Sequence, residues 1–327
     1  MIKWLLSKVL AVPMVQSQQR YERELRSDQI FDATRDCPTC GYNGNRIGLL
    51  TLQADPLVEY LECPNCRGCS TSWMPTPNYL AEYYNSYYAA DETKVTFPSS
   101  VHRFAKHILD ATLPGFSGST LKILDFGGGD GAIAKQIAAI LLKKCPTMRI
   151  KILVVDYVKP APYARDNVEF DSVKCLAEVH HERYDLIVAS AILEHIPDLR
   201  PTLRSLFSVS APGGSIYIRV PWVLPLRTWL STVPLLWPMH VHDLGPSFWN
   251  RLCDREALNA EVFRSRPPLS ETEFRHHFLL TLISHVMKAP AKIELSLRQN
   301  PKDLFWKYVA GWEVVYRVHL IPKHKEP

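Results

Sequence analysis

The stretch from Leu121 to Val220 constrains the fold of this chain more than any other. It opens with an apolar run, LKILDF, a tight turn, GGGDG, a helical segment, AIAKQIAAILLKK, and a second apolar run, RIKILVVD. Apolar runs follow at VEFD, YDLIVAS and SIYIRV, with the helical PTLRSLFSVS and the turn Pro212-Gly213-Gly214 between the last two. Short apolar runs that alternate with helices predict parallel strands buried on both faces. Crossovers in such a sheet are right-handed, so the strands' C-terminal ends share one edge, where ligands bind. The expected fold is α/β, a doubly wound and mostly parallel sheet.

The loop Asp125-Phe126-Gly127-Gly128-Gly129-Asp130-Gly131 lies between the first strand and its helix. Gly127 and Gly129 permit backbone angles closed to other residues and let a ligand lie against the main chain. The helix that follows offers free N–H groups. Gly127-x-Gly129-x-x-Ala132 also fits a dinucleotide fingerprint, with a pyrophosphate on the helix N-terminus. Three carboxylates favour another ligand. Asp125 precedes the first glycine by two positions, where it would repel a pyrophosphate but suit the cationic methionine end of S-adenosylmethionine (SAM). Asp156 ends the second strand and could accept both ribose hydroxyls. Asp171, at the expected end of the third strand, could accept from the adenine amino group.

The segments ILDFGGGDG, LVVD, YDLIVASAILEHIPD and APGGSIYIRVP together resemble the successive motifs of class I SAM-dependent methyltransferases, over about residues 100–265. The resemblance implies a seven-stranded sheet closed by an antiparallel strand, for which GWEVVYRVHL is the candidate. It also implies that Gly127, Gly129, Asp156, Asp171 and the strand end from Ser190 to Leu193 surround the cofactor. LEHIPD resembles the subgroup that acts on small molecules, sugars and lipids. Between 266 and 310 the chain departs from the family pattern, which suggests an insertion.

Ahead of this domain, Cys37-Pro38-Thr39-Cys40-Gly41 and Cys63-Pro64-Asn65-Cys66-Arg67-Gly68 form two knuckle-like turns with twenty-two residues between them. Four thiolates at this spacing, Cys37, Cys40, Cys63 and Cys66, can close a tetrahedral structural zinc (Zn2+) site. The gap slightly exceeds the usual ~15–20 residues, which a ribbon loop tolerates. Cys69 lies close enough to replace Cys66, but Arg67-Gly68 mimics the turn after Cys40. A zinc ribbon either grips RNA or braces another domain. Only Arg35, Arg46 and Arg67 stand near the cysteines, which disfavours nucleic acid. The order of ribbon, tyrosine-rich helix (Tyr79, Tyr83, Tyr87) and SAM domain resembles bacterial sugar and surface-glycan methyltransferases, in which the ribbon helps build the substrate cleft. The expected organisation is an N-terminal helical segment over 1–35, a ribbon over 36–75, a helical cap or linker over 76–115, and the SAM domain over 116–327.

With 327 residues, 46% of them hydrophobic, the chain can bury a sizeable core. Its net charge of +5 suits anionic partners without choosing among them. Two CxxC pairs in a chain of this length point to a reducing cytoplasm and not to a disulfide framework. No apolar run reaches the ~18–20 residues of a membrane span. In residues 1–15, Ile2, Leu5, Leu6 and Val9 share one helical face ended by Pro13. That face either docks on the protein's own body or touches the inner membrane surface, with Trp4, Lys3 and Lys8 at the headgroups.

Methyl transfer to a neutral hydroxyl needs a base, and histidine is the natural one. Glu194-His195 follows the fourth strand, and His240 and His242 follow the fifth after a Pro- and Trp-rich loop, all at the ligand edge. Glu194, His195 and His242 are the catalytic candidates, and Arg219 is a candidate for holding a substrate phosphate or for a buried ion pair. An NPPY signature is absent at the fourth strand, where Ser190-Ala191-Ile192-Leu193 stands. The expected acceptor is a sugar, nucleotide-sugar or lipid-linked glycan, with RNA gripped by the ribbon as the alternative. Asp156→Ala is expected to weaken SAM binding by ~1–3 kcal/mol in calorimetry through lost ribose contacts. Unchanged affinity would mean that the second strand is misplaced.

Overall fold

A computed structural model of the chain describes residues 24–89, 101–114, 118–157, 159–179, 182–224, 227, 235–256, 258–266 and 312–318, with scattered positions between 278 and 297. The N-terminal segment 1–15 and most of the proposed insertion lie outside the described residues. No helix among the described residues is long and apolar enough to cross a membrane.

Thirteen strands are described. β1 (Ile30–Asp32), β2 (Ile47–Gln53), β3 (Val58–Glu62), β4 (Cys69–Thr71) and β5 (Trp73–Pro75) precede α1 (Pro77–Ala89) and α2 (Val101–Thr112). Then come β6 (Thr120–Phe126), α3 (Ala132–Lys144), β7 (Arg149–Val155), β8 (Val168–Val173), β9 (Tyr184–Ser190), α4 (Leu199–Ser208) and β10 (Ser210–Val220). Last are β11 (His242–Asp243), α5 (Pro246–Arg255), β12 (Ala260–Arg266) and β13 (Trp312–Val318).

The large sheet has seven strands in the order β12-β13-β10-β9-β6-β7-β8. The five strands from β10 to β8 are parallel, and β13 inserts antiparallel between β10 and β12. This is the doubly wound α/β sheet, closed by the strand in GWEVVYRVHL. Side chains alternate across it. Ile123, Ile152, Leu186 and Val188 meet α2 and α3 on one face, while Leu124, Leu153, Ile187 and Ile216 meet α4 and α5 on the other. The turn Pro212-Gly213-Gly214 is an irregularity inside β10, because the register shifts between Ser210, opposite Tyr184, and Ser215, opposite Leu186.

The cysteine module is a second, four-stranded sheet in the order β11-β4-β3-β2. Its fourth strand comes from beyond β10: His242 pairs with Ser70 and Asp243 with Cys69. The Thr71 N–H extends the contact by donating to the Val241 carbonyl (3.0 Å). The four knuckle cysteines share one core with Leu199 of α4 and Phe248 and Trp249 of α5. The module is therefore fused to the large sheet's face, not tethered in front of it.

Phe248 is fully buried at this joint, and its ring lies 3.0 Å from where a Cβ on Gly68 would sit. Removing a buried phenylalanine costs about 3–5 kcal/mol. Phe248→Ala should lower the urea midpoint accordingly, with thiol reactivity of the knuckle cysteines and loss of tertiary circular dichroism rising in one transition. Two separated transitions would show that module and sheet unfold independently.

Candidate active site and cysteine centre

The parallel strands end together at Phe126, Val155 and Val173, which are register partners across β6, β7 and β8. Ser190 and Arg219 close the same edge on β9 and β10. Gly127 sits here with φ +70°, and a Cβ on it would lie 2.5 Å from Cγ1 of Ile192. The loop and the turn after β9 are therefore in direct contact. Gly129, at φ +56°, has nothing within 4 Å of its Cβ position, so it faces open space.

The Gly129 N–H donates to Oδ2 of Asp156 (2.8 Å), which fixes that carboxylate against the loop. Asp125 is buried beneath the loop, and its Oδ2 has no hydrogen-bond partner among the described residues. Burial, reinforced by the charges of Asp156 and Asp130, pushes the Asp125 carboxyl up to about 7. A buried carboxyl that accepts from the Ala134 backbone but keeps Oδ2 without a partner, below an open glycine cradle, suits a ligand that carries a positive group and hydroxyls.

Asp171 requires a correction. It lies opposite Leu153 inside β8, which runs on to Val173, so it sits two residues short of the edge. Its exposed carboxylate accepts from the Ser172 N–H (2.7 Å). The misplacement arose because an aspartate was read as the strand's terminator, whereas pairing with β7 sets the end.

The turn after β9 carries Glu194 and His195. Glu194 is 2% exposed, and burial pushes its carboxyl up to about 8. Its Oε2 lacks a partner among the described residues. Nδ1 of His195 lies 3.0 Å from the Met239 carbonyl and so carries the donated proton, which leaves Nε2 as an acceptor 3.8 Å from Oε1 of Glu194. Burial lowers His195 to about 4, so the ring is neutral near pH 7. The His240 ring stands 4.7 Å from it at 76°.

His242 is also corrected as a candidate base, because neither of its ring nitrogens is available. Nδ1 accepts from the Ser70 hydroxyl (2.8 Å) and Nε2 donates to the Ile196 carbonyl (2.9 Å). It is a fully buried bridge between the cysteine module and the turn after β9. The neighbouring Asp243 accepts from the N–H groups of Val223 (2.6 Å) and Leu224 (3.1 Å), so it caps the chain leaving β10. Arg219 is partly buried beside Glu194 and Glu313, with its guanidinium 5.2 Å from the Phe104 ring centroid. Of the tyrosine stripe, Tyr79 and Tyr83 pack together, and the Tyr87 side chain lies outside the described residues. Tyr84 stacks at 6.0 Å on Tyr157, the residue after Asp156, and so brings α1 over the cofactor edge. The sequence reading missed this pair, although Tyr84 follows the stripe residue Tyr83.

Cys37, Cys40, Cys63 and Cys66 are all buried, with their sulfurs within 4.8 Å of one another. The Cys37–Cys66 and Cys40–Cys63 separations are 3.7 and 3.8 Å. A tetrahedral zinc with Zn–S bonds of ~2.3 Å requires sulfurs about 3.8 Å apart. Each turn is closed by its own backbone: Gly41 N–H donates to the Cys37 carbonyl (2.7 Å) and Arg67 N–H to the Cys63 carbonyl (2.8 Å). The donor set and its spacing fit zinc.

The strand order of the large sheet, with a glycine loop after its first strand, is that of the SAM-dependent methyltransferase fold. Residues 97–259 match the family model described as a methyltransferase domain. A tRNA 5-carboxymethoxyuridine methyltransferase from Escherichia coli is 34% identical over 117 residues, 32% of this chain and 42% of that relative. A ubiquinone biosynthesis O-methyltransferase from Proteus mirabilis is 26% identical over 103 residues, 29% of this chain and 40% of that relative. The matched stretches thus span well under half of either relative. Among solved structures, the 1,6-didemethyltoxoflavin-N1-methyltransferase of Burkholderia thailandensis, with S-adenosylhomocysteine bound, aligns at TM-score 0.46 and 18% identity. That alignment covers 80% of this chain and 95% of the other.

The buried carboxyl of Asp125 makes the cofactor-free domain's stability depend on pH. Its ordinary value of 3.8 applies to the unfolded chain, and about 7 to the folded one. The folded state binds more protons between these values, so this contribution is fully present below about 3.8 and is lost as pH rises through about 7. Asp125→Asn should therefore raise the urea midpoint relative to wild type more at about pH 8 than at about pH 5. A difference independent of pH would show that Asp125 is ionised throughout.

Proposed function

We propose that this protein transfers the methyl group of SAM to a small-molecule or glycan acceptor at the edge formed by β6, β7, β9 and β10. The observation that carries the cofactor reading is the open cradle at Gly129, flanked by Asp156 and underlain by the unpartnered Oδ2 of Asp125. SAM, when bound, supplies an electrophilic methyl on a cationic sulfur. Asp125 offers negative charge to the methionine end, Asp156 accepts ribose hydroxyls, and Ser190 lies beside them at the edge. His195 holds its Nε2 lone pair ready to take an acceptor proton, because Met239 binds the proton on Nδ1. The buried carboxyl of Glu194 stands next to that nitrogen. The cysteine centre holds a structural zinc that supplies folding energy and no reaction step.

The arginines around the module argue for a compact acceptor. Arg67 pairs with Glu62 (2.9 Å), Arg46 is half-buried and donates to the Ala33 carbonyl, and Arg251 donates to the Asn65 carbonyl (3.1 Å). Groups engaged in this way make a poor stripe for tracking a phosphate backbone. Methylation of RNA is the second reading, favoured by the E. coli relative, whose name gives a modified tRNA uridine as its substrate.

Incubation of the full chain with isotopically labelled SAM and a small-molecule extract tests the choice by mass spectrometry. Label in sugars or nucleotide-sugars is the expected result. Label confined to RNA, with salt-sensitive retention on an RNA column, would establish the second reading.

A further inference from the structure

Two groups of metal-ligating side chains stand out among the described residues: the four cysteines, and Glu194, His195 and His240, whose ligand atoms all lie within 4.8 Å of one another. We infer that the second group is a binding site for a divalent first-row transition-metal ion, separate from the cysteine centre. One carboxylate and two imidazoles are a donor set for such ions that leaves coordination positions open.

Four observations build the site. First, His195 donates its Nδ1 proton to a backbone carbonyl, as metal-bound imidazoles do, and so aims an unprotonated Nε2 at Glu194. Second, the 3.8 Å from that nitrogen to Oε1 is too long for a hydrogen bond and leaves two electron-rich atoms facing each other. A cation between them turns that repulsion into attraction. Third, Oε2 of Glu194 is buried without a partner among the described residues, although Arg219 offsets part of the carboxylate's charge. Fourth, the third ligand is held by its backbone. The His240 N–H donates to the Leu236 carbonyl (3.0 Å), the His240 carbonyl accepts from the Tyr60 hydroxyl (2.8 Å), and the next N–H, of Val241, donates to the Glu194 carbonyl (2.9 Å). Ligands carried by two segments are thereby fixed before any ion arrives.

The site adjoins the glycine loop, because Ile192, two residues before Glu194, packs on Gly127. An ion there would occupy the Nε2 lone pair of His195 and so replace that nitrogen as the activating group: it can take an acceptor oxygen in an open position and favour its ionised form, with the proton released to water. That role rests on the methyltransferase reading, whereas binding of the ion does not.

Titration of metal-stripped, reduced full-length protein with cobalt(II) tests the site. Two equivalents should bind. One should show the intense thiolate-to-cobalt charge-transfer absorption of the cysteine centre, and the other only weak d–d bands. His240→Ala and Glu194→Gln should each weaken the second equivalent by about ten-fold or more while leaving the thiolate bands intact. Saturation of the wild-type chain at one thiolate-bound equivalent would overturn the proposal, whatever the variants do. So would a second equivalent that both variants bind unchanged. Calorimetry with SAM reports separately on the methyltransferase reading, so failure of one does not mimic failure of the other.

Discussion

The two-residue ladder between His242–Asp243 and Cys69–Ser70 is the joint on which the candidate site depends. A ladder so short is weak by itself, and side chains reinforce it. The His242 ring ties Ser70 of the cysteine module to the Ile196 carbonyl after β9, and Val241 ties the same strand to Glu194. Leu25, Val58 and Met74 pack with Trp237 and Val241 along the joint, so apolar burial stabilises what the hydrogen bonds orient. The turn bearing Glu194 and His195 is thus held from two sides, by Gly127 of the glycine loop and by the cysteine module. Proteins commonly place such turns on mobile loops, but here a small metal-ready sheet braces one.

Buried carboxylates distinguish this edge from the rest of the core. A carboxylate removed from water costs several kcal/mol unless it is paired or neutralised. Asp243 offsets part of that cost by accepting two backbone N–H groups on Oδ2, although its Oδ1 has no partner among the described residues. Glu313, deeper in the sheet, binds the Tyr217 hydroxyl (2.8 Å) and His107 (2.5 Å). Asp125 and Glu194 each keep an oxygen without a partner among the described residues. They flank the contact between the glycine loop and the turn after β9, where a cationic ligand would satisfy both.

How legible these features were in the sequence follows from how local their causes are. The parallel strands announced themselves, because LKILDF and RIKILVVD are too apolar to lie anywhere except between two layers of helices. The cysteine knuckles were equally plain, since a CxxC turn is closed by its own backbone and needs no distant partner. Asp171 was misplaced because the end of β8 is set by its register against β7, and an aspartate inside a strand resembles one that ends it. His242 was misjudged for the same kind of reason. Its two partners, Ser70 and Ile196, are 172 and 46 residues away, and nothing around His242 reports that both ring nitrogens are engaged. The approach of His240 to His195 was hidden likewise, because it depends on β11 joining a sheet whose other strands precede it by about 170 residues.

The placement of β11 also bears on why a cysteine module should accompany a methyltransferase domain. A module that only gripped a remote substrate would be free to move, and its interface with the domain would be small and polar. Here its four cysteines lie in the same apolar cluster as Leu124, Ile187 and Ile218 of the large sheet. Its Tyr60 and Ser70 reach the segment that carries His240 and His242. Free energy gained by a metal bound at the cysteines would therefore be folding energy for the joint as well, because the turn after β9 takes its shape from that joint. The module acts on the candidate site through position: it sets where Glu194, His195 and His240 stand relative to the glycine loop.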